Sequence, residues 1–119
     1  MNAAALVVAI GFAAMGIAAL VRPAFIWAPF GVVPTTPESR SEVRAVYGGF
    51  GLALAALLVL TDDSAALRDG VLVAVAVSLL GMAAGRVVSA LVEPRTLLRS
   101  PGFFLAVEVG AAVLTLAAR

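Results

Sequence analysis

The stretch Val71–Val92, VLVAVAVSLLGMAAGRVVSALV, is apolar or small at every position except Arg86. Its 22 residues, wound as a helix, would extend about 33 Å, the thickness of a bilayer's hydrocarbon core. An arginine keeps its proton, so a membrane helix that carries one must supply it with an anion or with water. The rest of the chain reads as the surroundings this guanidinium requires.

Three further apolar runs, Ala3–Val21, Val43–Leu60 and Gly102–Ala118, are long enough to cross as helices. None alternates apolar with polar residues, as a lipid-facing barrel strand would. The chain has 119 residues, 63% hydrophobic and 13% charged, and a soluble domain this small could not bury so much apolar surface. The expected fold is therefore all-α: an integral membrane antiparallel four-helix bundle. It forms a single domain over residues 1–119, with spans at about 3–21, 43–60, 71–92 and 102–118. The first run lacks a basic leading region and a small-residue cleavage site before Arg22, so it reads as a retained helix and not a signal peptide.

Cysteine and histidine are absent, which excludes disulfides, thiol catalysis and metal or haem ligation by those residues. No cofactor and no metal site is expected. All eight basic residues are arginine, which with abundant Ala, Gly and Val suggests a GC-rich bacterial genome. Arg22, Arg40, Arg95 and Arg99 lie in loops 22–41 and 93–101, with Arg44 just beyond, whereas Arg68 and Arg119 accompany Asp62, Asp63 and Asp69 on the other side. The positive-inside rule then places those two loops in the cytoplasm of a bacterial plasma-membrane protein, with both termini outside.

Local signals set the helix ends. Arg22-Pro23 and Glu93-Pro94 stop the first and third helices. Thr36-Pro37 starts the second before the membrane does, Asp63 or Ser64 caps the third, and Ser100-Pro101 opens the fourth. The link Thr61–Asp69 is short enough to make helices two and three antiparallel neighbours. Ala5, Ala9, Ala13 and Gly16 form a small-residue face on the first helix, suited to close packing inside the bundle or to a homodimer. Loop 22–41 holds four prolines with Phe25, Trp27 and Phe30, which read as an interfacial anchor or as a lid over a lateral pocket.

Arg86 lies six residues before the end of its run and Glu108 six residues after the start of the next. Both are then roughly 9 Å below the same membrane face, on helices joined by a short loop. Either charge alone would be costly in hydrocarbon, so a pair is expected. On the second helix Arg40, Arg44, Tyr47, Gly51 and Ala55 share a face, which brings Arg44 and Tyr47 toward the same layer. Ser89 follows Arg86 one turn later. One reading is a register-fixing salt bridge. The other is a binding site of Arg44, Tyr47, Arg86, Ser89 and Glu108, in which two arginines facing one glutamate leave a positive charge for an anionic lipid or fatty-acid-like ligand.

These residues resemble a family. Glu42-Val43-Arg44-Ala45-Val46-Tyr47-Gly48-Gly49, then Gly85-Arg86 with Ser89, then Glu108, in that order along four spans, are similar to the bacterial domain-of-unknown-function family DUF4345. More distantly the layout resembles DoxX-like four-helix membrane proteins. Gly51-Leu52-Ala53-Leu54 carries fewer glycines than the family pattern. The resemblance implies a compact membrane bundle, with recurring charges at Arg44, Arg86 and Glu108, and brings no activity with it.

Three functions compete. The first is a binding or accessory module that holds an amphiphile or a membrane partner. The second is an enzyme using Glu108 as acid or base, assisted by Tyr47, on an apolar substrate. Two flanking arginines would make that glutamate a poor acid, which counts against chemistry. The third is a small dimeric transporter; such exporters generally carry a carboxylate in the first helix, and here that helix has no charge. The bilayer itself is the one certain partner in this reading, and no soluble basic patch exists for nucleic acid.

Overall fold

A computed structural model describes all residues, 1–119. Its elements are α1 (Ala3–Val21), the short α2 (Pro23–Trp27), α3 (Pro37–Leu60), α4 (Ala65–Val92) and α5 (Ser100–Ala117). Single 3₁₀ turns occupy Ala28–Phe30 and Pro94–Leu98, and there is no strand. α1, α3, α4 and α5 are each long and apolar enough to cross a membrane. Only 23 of 119 residues are buried, and exposed Ile10, Ile17, Val77, Leu91 and Val113 cover the outside. That inversion suits a solvent of acyl chains and not water. The chain is an all-α bundle of the membrane type.

The helix ends follow the local chemistry with one exception. Arg22 and Glu93 sit at nearly the same backbone angles (φ −136°, ψ 78° and φ −130°, ψ 78°), because each precedes a proline that bars the helical region. Thr36 and Ser39 form a reciprocal capping box ahead of α3. Ser64, of the two expected candidates, caps α4 by accepting from the Leu67 N–H. Ser100 does not cap α5: its hydroxyl donates to the Pro29 carbonyl at 2.6 Å, and the helix starts without a side-chain cap. α3 and α4 also begin earlier than their apolar runs.

α3 is α-helical over Pro37–Val43 and Phe50–Leu60 but π-helical over Arg44–Gly49. There the Phe50 N–H reaches back five residues to Ala45, so one additional residue is taken into the turn. Nothing in the apolar periodicity announces this. Within and just beyond that turn Gly48, Gly51 and Ala55 are buried, whereas Tyr47 is half-buried.

Packing is closest where side chains vanish. A Cβ placed on Gly16 of α1 would lie 2.8 Å from the Gly48 carbonyl oxygen and 2.9 Å from the Leu52 nitrogen. One on Gly51 would meet the Phe12 carbonyl at 2.9 Å. α1 and α3 thus touch backbone to backbone, the contact that substitutes for a hydrophobic driving force in lipid. The small-residue face of α1 is used within the bundle, with Ala5, Ala9 and Gly16 all buried. α4 and α5 form the other close pair, α1 also contacts α5, and α3 touches α4 only sparingly. The result is a flattened body, 42 × 33 × 18 Å, whose core gathers Val8, Leu58, Leu72, Val75, Leu79 and Ala112. At the end opposite the arginine-rich loops, Asn2 donates to the Ala118 carbonyl and Arg119 pairs with Asp69.

Replacing Gly16 by valine is expected to lower stability by about 1–3 kcal/mol or more, through overpacking of the α1–α3 contact. Gly11→Val, at a position with nothing within 4 Å of a Cβ, should leave the unfolding midpoint unchanged. Thermal unfolding in one detergent compares the two.

Candidate functional site

Two features bring the ionic residues together. The short connection between α4 and α5 makes these helices a close antiparallel pair, and the equal depth of their lone charges sets them side by side. Arg86 donates through Nε to both oxygens of Glu108, each at 2.9 Å, and through Nη2 to Oε1 at 2.7 Å. The pair is lopsided in exposure: the glutamate side chain is 6% exposed and the arginine 23%. Glu108 is enclosed by the helices, and no Nη1 bond of Arg86 to the protein exists. Bidentate charge-assisted bonds of this kind fix orientation as well as charge.

Aromatic rings complete the setting. The Arg86 guanidinium lies 5.8 Å from the centroid of Phe30 and 5.6 Å from that of Phe104, within the range of cation–π attraction. Those two rings are themselves 5.2 Å apart. Phe104 stands one helical turn before Glu108 on α5, whereas Phe30 comes from loop 22–41. Several bonds hold that loop in place. Ser100 binds the Pro29 carbonyl, Arg40 binds the Pro34 carbonyl at 3.3 Å, and Gly31 turns the chain at φ 73°, a conformation that favours glycine.

Where the loop meets the helices the surface forms an open cavity of about 340 Å³, lined by Trp27, Phe30, Val32, Tyr47 and Arg86. Of the residues expected at the site, Arg86, Glu108 and Tyr47 are gathered here, Arg86 and Tyr47 lining the cavity and Glu108 supporting the guanidinium from behind. Arg44 goes elsewhere. Its side chain is exposed and Nε donates to the Leu20 carbonyl at 3.2 Å, one of the carbonyls that the end of α1 leaves without a helical partner. Ser89 is exposed and outside the cavity lining. The convergence of two arginines on Glu108 therefore does not occur, and the positive character of the cavity rests on Arg86 alone.

Trp27 and Phe30, loop aromatics expected around the site, line the cavity, and Phe104, on the Glu108 face of its helix, adds a ring against the guanidinium. The signal for Phe104 was its four-residue spacing from Glu108, which puts both on one helix face. For Phe30 the contact bridges 56 positions, and no local pattern foretells it. There is no cluster of acidic residues able to hold a metal ion.

Arg86→Ala strands an almost fully buried carboxylate and should cost up to about 3–5 kcal/mol. The double variant Arg86→Met with Glu108→Leu removes both charges and should recover most of that loss. Unfolding midpoints of the single and double variants give the comparison.

No curated protein and no solved structure matches this chain. A family model does match, described as a domain of unknown function, DUF4345, over residues 1–118. Because the match runs through all four long helices and both halves of the ion pair, the chain belongs to the DUF4345 family.

Proposed function

We propose that the protein is a multi-pass bacterial plasma-membrane module that holds an anionic, lipid-like amphiphile at the Arg86 cavity. The observation that carries this reading is the lopsided exposure of the ion pair. Glu108 is enclosed, while Arg86 opens on a cavity whose other walls are aromatic or aliphatic apart from the Tyr47 hydroxyl. A phosphate or carboxylate head could take the uncommitted guanidinium N–H groups and the tyrosine O–H, with the rings of Trp27 and Phe30 against the adjoining methylenes. Glu108 still neutralises most of the charge, so the head is held by directed hydrogen bonds more than by net attraction.

Acid–base chemistry is less well supported. Both Glu108 oxygens accept from Arg86, and the residue does not line the cavity, whereas a catalytic carboxyl group must reach its substrate. The arginine distribution supports an orientation with loops 22–41 and 93–101 in the cytoplasm and both termini outside.

Native mass spectrometry of gently extracted protein should show a co-purifying anionic lipid or fatty acid. The Arg86→Met, Glu108→Leu variant should lack it, and Tyr47→Phe should bind roughly fivefold more weakly, the effect of about one hydrogen bond. Equal retention by wild type and the double variant would overturn the assignment.

Orientation has its own test, because the chain has no cysteine. A membrane-impermeant maleimide applied to intact cells should label Asp63→Cys and spare Ser39→Cys. The reverse pattern would invert the topology.

A further inference from the structure

α3 and α4 are joined by residues 61–64 alone, yet they pack less closely than α4 and α5. The loose seam between them forms a second open cavity, of about 270 Å³, toward the end where the termini lie. Leu54 and Leu57 of α3 and Val71, Ala74 and Ser78 of α4 form its walls. It carries no charge, and its one hydroxyl is already committed, Ser78 donating to the Ala74 carbonyl at 2.8 Å. The Arg86 cavity opens on the same pair of helices, through Tyr47 of α3 and Arg86 of α4. Between the two cavities α4 offers Gly81 and Gly85, and a Cβ on either would meet nothing within 4 Å.

We infer that these cavities are the two ends of one site, and that the α3–α4 seam takes the acyl chain of the amphiphile whose head lies at Arg86. This rests on the function proposed above and gives its ligand a shape. Counted along α4, Ser78 is about 12 Å and Gly70 about 24 Å from Arg86. One leaflet of a hydrocarbon core about 30 Å thick is spanned by chains of about 15 Å, so an ordinary lipid chain anchored at Arg86 ends inside the second cavity. A helix from a protein partner, about 10–12 Å across, is too broad for a groove of this volume. Because the surrounding solvent is also made of acyl chains, burying the tail gains little hydrophobic free energy. The groove instead selects by shape, and the head supplies the hold.

A palmitate analogue carrying a diazirine near its methyl end tests the position of the tail in the full-length protein. Upon irradiation the label should concentrate on Leu54, Leu57, Val71, Ala74 and Ser78, and excess palmitate should displace it. Gly81→Leu, which adds atoms where nothing stands in the way, should plug the seam and reduce that label about tenfold or more. It should leave binding of butyrate, whose chain is too short to reach Gly81 about 7.5 Å along α4 from Arg86, unchanged. Label that depends on Arg86 and Glu108 but falls on the outer residues Val77 and Val113 would overturn the groove while leaving the head site standing. Label unaffected by the Arg86→Met, Glu108→Leu double variant would overturn both. A palmitoyl lysophosphatidate carrying the same diazirine distinguishes the head chemistries, since whichever amphiphile is displaced less readily by the other has the head that Arg86 prefers.

Discussion

A guanidinium and a carboxylate drawn from different helices meet beneath one end of the bundle, and most of the architecture at that end exists to keep them together. In a medium without water each would be destabilising by several kcal/mol if left alone. Their match therefore fixes the register of α4 against α5, and that pair then presents a surface to α1. The aromatic rings of Phe30 and Phe104 lie beside the charge and extend its shelter from helix to loop. Loop 22–41 is consequently part of the electrostatic solution, joined to the start of α5 by the Ser100–Pro29 bond.

The two close helix pairs are held by different physics. α1 and α3 approach through glycine, Gly16 against Gly48 and Gly51, where contact is van der Waals and depends on missing atoms. α4 and α5 add an ion pair to their apolar packing. The seam left between α3 and α4 has neither device, and both cavities open there. Where a bundle in lipid lacks small-residue contact and lacks polar bonding, nothing compels two helices to close, and a groove is the natural consequence.

The ion pair was legible in the sequence because two lone charges at equal depth on joined helices leave few alternatives. Thr36 and Pro37 likewise declared a helix start by local chemistry that the structure repeats. Arg44 departs from its expected place for a physical reason. Helix periodicity set it on the face of Tyr47, but the π-helical turn disturbs that periodicity, and the Leu20 carbonyl at the end of α1 competes for the guanidinium. Ser100 resembled a cap until a carbonyl 71 positions away proved to be its partner. In each case a short-range rule yielded to a contact that only the assembled bundle creates.

The π-helical segment of α3 has one more consequence. Taking an extra residue into a turn rotates everything beyond it by about 100° relative to an unbroken α-helix. The halves of α3 on either side of Arg44–Gly49 are thus phased independently: the inner half answers to α1 and the outer half to the charged end. Tyr47 and Gly48 are neighbours inside that turn, so its pitch decides at once how the tyrosine meets the Arg86 cavity and how the glycine meets Leu20 and Gly16 of α1.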